Sequence, residues 1–424
     1  MRVGRESKSL ILVALVVAAW GGPWSPPASG QSTIPFTLES SYTWVTNSQL
    51  QAINSDGSSY FATIHPTSSP DAVEFMGVVV NNPADMEYLD PAACPSTTFP
   101  QFQTFVEALP GGTYGGYTVA PGDFGGVALY VGQTVPWFPP NTASADFTNA
   151  QWAQELSFLG ASTLTTGDVV LVQADAPGLE YDGKFNINTQ HMNTFAYPGY
   201  GFSITVVGQT RPPVASISLS DLVEPNGTQI FDPTMATGCE HYKGSLVHLN
   251  DLLLTDPGDW GGGTPVTIQQ GNLTFPMQVG LDNGLASLNP QTLSTRPFSI
   301  TAIVDQEATG DDTTGFSVWL TNASNLTMAM PGDADDNGTV DINDLTIVLA
   351  NYGRTGTAWS QGEFTGDGTV DVNDLTIVLA GFGQTAGAAG IQAVPEPCTL
   401  VLLSVAAGVA GLVPGRRRVA RKLT

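Results

Sequence analysis

From residue 72 to 210 the chain alternates strand-length apolar runs with clusters of Gly, Pro, Asn and Asp. The clearest runs are AVEFMGVVVNN (72–82), GGVALYVG (125–132), GDVVLVQAD (167–175), KFNIN (184–188) and FSITVVG (202–208). β-Branched and aromatic residues bounded by turn formers at this spacing predict strands. RPPVAS (211–216) is a stiff break, after which the pattern resumes. The second series is GSLVHLNDLLL (244–254), TPVTIQ (264–269), FPMQVGL (275–281), FSITAIVDQ (298–306) and GFSVWLT (315–321). The two series place one β domain at 31–210 and another at 211–328. About five strands apiece, with polar turns, predict two small β-barrels or sandwiches. The series also echo each other, in GVVVNNPAD (77–85) against GSLVHLNDL (244–252) and in an FSIT near the end of each.

The period then changes. DADDNGTVDIND (333–344) carries seven Asp or Asn in twelve residues around a central Gly. Carboxylates at that density repel unless a cation sits among them. The spacing fits a twelve-residue calcium loop, whose ligands come from positions 1, 3, 5, 7, 9 and 12. Those positions hold Asp333, Asp335, Asn337, Thr339 (through its carbonyl), Asp341 and Asp344, with Gly338 at the sharp turn and Val340 free to point inward. The pattern recurs, since residues 337–353 and 367–383 agree at thirteen of seventeen positions. The second loop offers Glu363, Thr365, Asp367, Thr369, Asp371 and Asp374. Each loop feeds a predicted helix, with Leu345, Val348, Leu349 and Tyr352 on one face and Leu375, Val378, Leu379 and Phe382 on the other. Two such stripes are expected to pack on each other, coupling folding to calcium (Ca2+).

Residues 331–385 resemble a type I dockerin, an EF-hand-like, calcium-dependent docking module of exported bacterial proteins. The resemblance implies a small α-helical module, Ca2+ as cofactor and a cohesin-like protein as partner. Two departures bear on it. Glu363 is one methylene longer than the expected Asp and Thr365 is uncharged, so the second loop is expected to bind more weakly. The late-loop pairs are Ile342-Asn343 and Val372-Asn373, where many dockerins carry small or hydroxyl residues, and the helices have no base before Arg354. A local structural role, clamping the ends of the module together, is the other expectation.

The termini read as addresses. Arg2, Arg5 and Lys8 precede an apolar run from Leu10 to Trp20, followed by PPASG, so residues 1–30 predict a secretory signal. A small-residue linker (386–393) leads into residues 394–424. There, Pro395-Glu396-Pro397 precede an apolar segment from Cys398 to Val413 and then Arg416-Arg417-Arg418. This order resembles the PEP-CTERM sorting signal. It implies a C-terminal apolar helix at the membrane and processing by an exosortase-like enzyme; a plain membrane anchor is the alternative. Either places the body outside the cytoplasmic membrane, at the cell surface or in an extracellular matrix.

Charge narrows the choice. Between the terminal signals lie 36 Asp and Glu but only five bases, namely Lys184, Arg211, Lys243, Arg296 and Arg354. Such a surface repels phosphate backbones and argues against nucleic acid as a partner. The stretch GDVVLVQADAPGLEYDGKFNI (167–187) resembles the fourth and fifth strands of OB-fold domains in exported bacterial proteins, which extends the expectation to two OB-like domains. OB-folds bind nucleic acids or sugars. Export permits a Cys94–Cys239 disulfide, and two free thiols are equally compatible. Cys239, His241 and His248 lie close in sequence but match no common zinc spacing; His241 and His248 are expected to be strand residues. Trp137, Phe138, Tyr197, Tyr200 and Trp260 could stack on sugar or pack beneath loops.

No HExxH, GxSxG or P-loop is present. The sequence therefore predicts an exported, non-catalytic binding or structural protein. One alternative is a polysaccharide-binding component of extracellular polysaccharide breakdown, or a glycoside hydrolase if it is an enzyme. A second is an OB-fold protein acting on nucleic acid.

Overall fold

The computed structural model describes residues 42–61, 72–90, 100–133, 147–175, 179–181, 183–188, 201–261, 265–335, 337–355 and 358–385. The chain is mainly β. Its first sheet draws on β1 (Thr43–Trp44), β2 (Val73–Val79), β3 (Gln101–Glu107), β6 (Gly126–Gly132), β7 (Asp168–Ala174), β8 (Leu179–Tyr181), β9 (Lys184–Asn188) and β10 (Phe202–Gln209). A separate hairpin, β4 (Gly112–Tyr114) and β5 (Tyr117–Val119), lies between β3 and β6 in sequence. The strand order is β10-β7-β2-β3-β6-β9-β8, with β1 beside β2. β2 runs antiparallel to β3 and β7, and β6 runs parallel to β9.

β2 does not alternate polar with apolar because both its faces are covered. Val73, Phe75 and Val79 enter a core with Phe102, Val127, Leu129 and Trp152. Met76 and Val78 enter a second cluster with Leu109, Val169 and Leu171, against which Tyr114 and Val119 of the hairpin pack. Strands buried on both sides read as continuous apolar runs. The main core is plugged by a helix, Asn149–Leu159, that the strand pattern does not reveal. Thr148 and Gln151 cap its start reciprocally, and Gly160, at φ +80°, closes it in the left-handed conformation.

The second sheet contains β11 (Ala215–Ser216), β12 (Leu246–Leu254), β13 (Val266–Gln270), β14 (Leu273–Val279), β15 (Phe298–Gln306), β16 (Phe316–Leu320) and β17 (Leu326–Met328). Its order is β11-β12-β13-β14-β16-β15-β17, and β12 also pairs with β15, which closes a five-stranded barrel. β14 and β16 are parallel, whereas the other barrel pairs are antiparallel. A bulge in β12 lies between Leu249 and Leu252, where Asp251 takes φ +53°. The extra residue lets Val247, Leu249, Leu252 and Leu254 all reach the core despite their broken alternation. The FSIT echo is not topological. Phe202–Thr205 lies on the edge strand β10, whereas Phe298–Thr301 begins a barrel strand.

The first sheet and the closed barrel meet through a buried seam. Val80, Met86, Phe105, Ala128, Leu246 and Ile303 form one apolar cluster drawn from both. The Gly126 N–H donates to the Lys243 carbonyl at 2.9 Å. Gly126 and Gly244 approach so closely that a Cβ on either would lie 2.1–2.2 Å from the other's carbonyl oxygen. Lys184 of β9 donates to both carboxylate oxygens of Asp305 of β15, at 2.9 and 2.8 Å. Lys243 lies 2.6 Å from Glu240 and donates to the Gly183 carbonyl. Both lysines of the body are thus buried here.

After β17 comes a module of two loops and two helices, Ile342–Asn351 and Val372–Gly381. Ala334, Val340, Val348, Phe364, Val370 and Val378 form its core. The helices do not hide the predicted stripes whole. Val348 and Val378 are buried and Leu345 and Leu375 half-buried, but Leu349, Tyr352, Leu379 and Phe382 are each more than half exposed, as are Ile342 and Val372. The buried face is centred on Asp344–Val348 and on Asp374–Val378, because the last loop residue of each repeat is itself a helix residue that must face inward. That rotation turns Leu349 and Tyr352 outward.

Among the described residues no helix is long and apolar enough to cross a membrane. The 1–30 signal, the 386–393 linker and the 394–424 segment with Pro395, Glu396, Pro397, Arg416, Arg417 and Arg418 lie outside the described residues. So do Cys94, Trp137, Phe138, Tyr197 and Tyr200.

Candidate metal centre

The first loop is shaped by its own carboxylates. Gly332, at φ +93°, turns the chain into Asp333, and Gly338, at φ +80°, makes the central bend. Asp333 is buried, and its two oxygens accept the N–H groups of Asn337 and Gly338 at 3.2 and 2.8 Å. Asp344 is fully buried. Its Oδ1 accepts from Ala334 and Asp335 N–H at 2.7 and 3.2 Å, and its Oδ2 accepts from Asp341 N–H at 2.7 Å. The Asn337 side-chain oxygen accepts from Thr339 N–H at 2.9 Å. Asp341 caps the following helix, accepting from Asn343 N–H at 2.7 Å.

This folding brings one carboxylate oxygen from each of Asp333, Asp335 and Asp344 within 4.8 Å of the others. Three like charges at that range are mutually destabilising, and a hard cation that accepts oxygen ligands relieves all three together. The trio could hold a metal ion; its geometry alone does not select which.

The second loop copies the frame with different chemistry. Asp374 is fully buried and accepts from Phe364 N–H and Asp371 N–H at 2.7 and 2.8 Å, as Asp344 does in the first loop. Asp371 caps the second helix, and Asp367 accepts from Thr369 N–H at 2.8 Å. Glu363 differs from its counterpart. Its extra methylene folds Oε1 back onto the loop, where it accepts from the N–H groups of Thr365, Gly366 and Asp367 and from the Thr365 hydroxyl, at 2.6–3.1 Å. Among the described residues this loop gathers no trio of carboxylates like that of the first.

The repeats are crossed rather than side by side. Val340 donates its N–H to the Gln384 carbonyl at 2.9 Å and accepts from Gly383 N–H at 2.8 Å, so loop one pairs with the chain after helix two. Val370 exchanges the matching bonds with Gly353 and Arg354, after helix one. Trp359 was not singled out by its sequence context, yet its indole N–H donates to the Asp333 carbonyl at 3.0 Å and its ring meets Phe364 edge-on. A lone Trp between two acidic loops was the available signal.

The other candidates disperse. Cys239 is a buried free thiol whose Sγ lies 3.3 Å from the Leu222 carbonyl, and burial raises its pKa. His241 sits on the short helix Gly238–Tyr242, not on a strand, stacked on Phe124 with Nδ1 2.9 Å from the Met235 carbonyl. His248 is on β12, as expected, with Nδ1 3.3 Å from Thr301 Oγ1. These three gather no metal-holding group among the described residues. Trp260 is half-buried against the second core, and its indole N–H is occupied by the Leu285 carbonyl at 3.0 Å.

No protein-family model matches this chain, and no curated protein does. A solved structure of a replication protein A heterotrimer bound to single-stranded DNA shows 9% identity to it, with a TM-score of 0.22. The match covers 62% of this chain and 49% of the other, so the chain spans about half the length of that relative. A similarity that low carries no argument about fold or function.

Proposed function

We propose that this is an exported, non-catalytic binding or structural protein whose C-terminal module is dockerin-like and stabilised by calcium. The observation that carries the reading is the convergence of Asp333, Asp335 and Asp344, at positions 1, 3 and 12 of a loop that is then duplicated. Asn337 and the Thr339 carbonyl complete an all-oxygen set of the kind calcium prefers. Asp341 would reach the ion through water. Glu363, engaged by four donors of its own loop, supports a weaker second site.

The body fits two OB-like domains. The closed order β12-β13-β14-β16-β15 is that of a five-stranded Greek-key barrel. β2, β3, β6, β9 and β7 take the same sequence of neighbours in the first sheet, left open between β7 and β9. Fold does not assign activity, and the acidic surface weighs against nucleic acid. A cohesin-like partner would be met by the exposed pairs Ile342/Val372, Leu349/Leu379 and Tyr352/Phe382. Export and delivery to the envelope rest on the two terminal segments as sequence.

Calorimetric titration of calcium into the metal-free chain tests the proposal. One tight site and one weaker site are expected, with the tight one lost in Asp333→Ala and retained in Glu363→Ala. Absence of heat, or two sites of equal affinity, would contradict it.

A further inference from the structure

A cleft of about 460 Å³ opens where the two barrels and their linker meet. Its floor is the outer surface of the closed barrel. Val247 and Leu249 of β12 point into the core, so Leu246 and His248 point out. Phe298, Ile300 and Ala302 of β15 point in, so Ser299 and Thr301 point out. His248 lies directly across from Thr301, and Ser299 directly across from Thr327 of β17. The floor therefore runs from an apolar seam, Leu246 against Val80, to a row of hydroxyls with one imidazole. One wall is Asn82 and Asp85 of the first barrel; the other is Arg211 and Pro212 of the linker.

This lining is selective. Arg211 is one of only five bases set against 36 acids between the terminal signals, and it makes no ion pair or hydrogen bond among the described residues. Lys184 and Lys243 are consumed in the seam, and Arg296 donates to the Ala329 carbonyl. His248 engages Thr301 through Nδ1, which leaves Nε2 for a ligand. Asp85 Oδ2 accepts from the side-chain amides of Asn82 and Asn322, both at 3.0 Å, which fixes the carboxylate with Oδ1 available. A planar guanidinium matches a carboxylate in two parallel hydrogen bonds. A fixed carboxylate and a row of hydroxyls match vicinal hydroxyl groups. The volume falls within the ~300–1,000 Å³ range of small-molecule sites, and a junction between domains is a usual place for one.

We infer that this cleft binds an acidic sugar unit, with the ligand carboxylate on Arg211 and its hydroxyls on Asp85, His248 and the Ser299–Thr301–Thr327 row. The inference is independent of the calcium loops, because every residue it uses belongs to the barrels or their linker.

The test is calorimetry on the full chain with cellobiouronic acid and cellobiose, which differ in one carboxylate. The acidic disaccharide is expected to bind at least about tenfold more tightly than the neutral one, a difference of about 1.4 kcal/mol. Arg211→Gln, at an exposed position, is expected to abolish that preference while leaving the melting temperature unchanged. His248→Gln is expected to weaken both sugars together. Equal affinity for the two disaccharides, no binding of either, or an unchanged preference in Arg211→Gln would overturn the inference. Chelation of calcium is expected to leave the binding intact, which separates this outcome from that of the metal titration.

Discussion

Glu107 ends β3 inside the seam, where its Oε2 accepts from Leu246 N–H of the closed barrel at 3.3 Å. Burial pushes its pKa from about 4.5 up to about 8, partly offset by the bonds from Leu246 and Ser245. The folded chain therefore holds a proton there that the unfolded chain releases. The associated stability is complete below about pH 4.5 and is lost as pH rises towards 8. Glu107→Gln keeps the shape and an acceptor but cannot ionise. Its melting temperature, relative to the wild type, is expected to rise progressively between pH 5 and 8 and to level off above. A constant difference across that range would show that Glu107 does not titrate with folding. Residue chemistry was legible where spacing carries it. Asp333, Asp335 and Asp344 were named from loop positions alone, and the structure brings them together. The burial of Glu107 and Lys184 was not legible, because a charge hidden by a second domain looks in sequence like any surface charge.

Among the elements, the long apolar runs were legible and the mixed ones were not. GDVVLVQAD (167–175) contains β7, and FSITAIVDQ coincides with β15; the short, mixed KFNIN, which is β9, is the exception. QFQTFVE (101–107) does not read as a strand, since Gln103, Thr104 and Glu107 interrupt it, yet all three are buried, Thr104 through a 3.2 Å bond to the Asn81 side chain. The 149–159 helix is not legible because it buries only Trp152, Glu155, Leu156 and Leu159, too sparse a stripe beside so many strands. At this scale the seam depends on Gly126 and Gly244. A methyl group at 126 would meet the Gly244 carbonyl at 2.1 Å, backbone against backbone, with no side chain to yield. Gly126→Ala is expected to destabilise the protein by about 2–3 kcal/mol or more, in line with overpacking of a tight interior. Chemical denaturation would register it, together with faster proteolysis in the 210–214 linker. Unchanged stability would mean that the first sheet and the closed barrel separate at little cost.

Across the described residues, four of the five bases stand at the joints. Lys184 and Lys243 lie between the first sheet and the closed barrel, Arg211 lies on the linker between them, and Arg296 reaches Ala329 in the segment leading to the C-terminal module. Lys184→Met would leave Asp305, itself 1% exposed, buried without its cation. Breaking such a pair costs about 3–5 kcal/mol, whereas replacing both partners with apolar residues is often neutral. Lys184→Met with Asp305→Leu is therefore expected to regain most of the stability that Lys184→Met loses. If the double variant is no better than the single one, the pair is not what joins the first sheet to the closed barrel. The seam could not be read from the sequence, since no local pattern announces which outer faces will meet.

The crossed pairing of Val340 with Gly383 and Gln384 puts the two ends of the module at one edge, with Thr339 bridged to Thr385. Tension applied between the body and the segment beyond residue 385 would therefore peel this edge one bond at a time instead of shearing many bonds at once. The acidic loop adjoins that edge, so an ion captured there would act as a latch, resisting the pull when filled and letting the clasp run open when emptied.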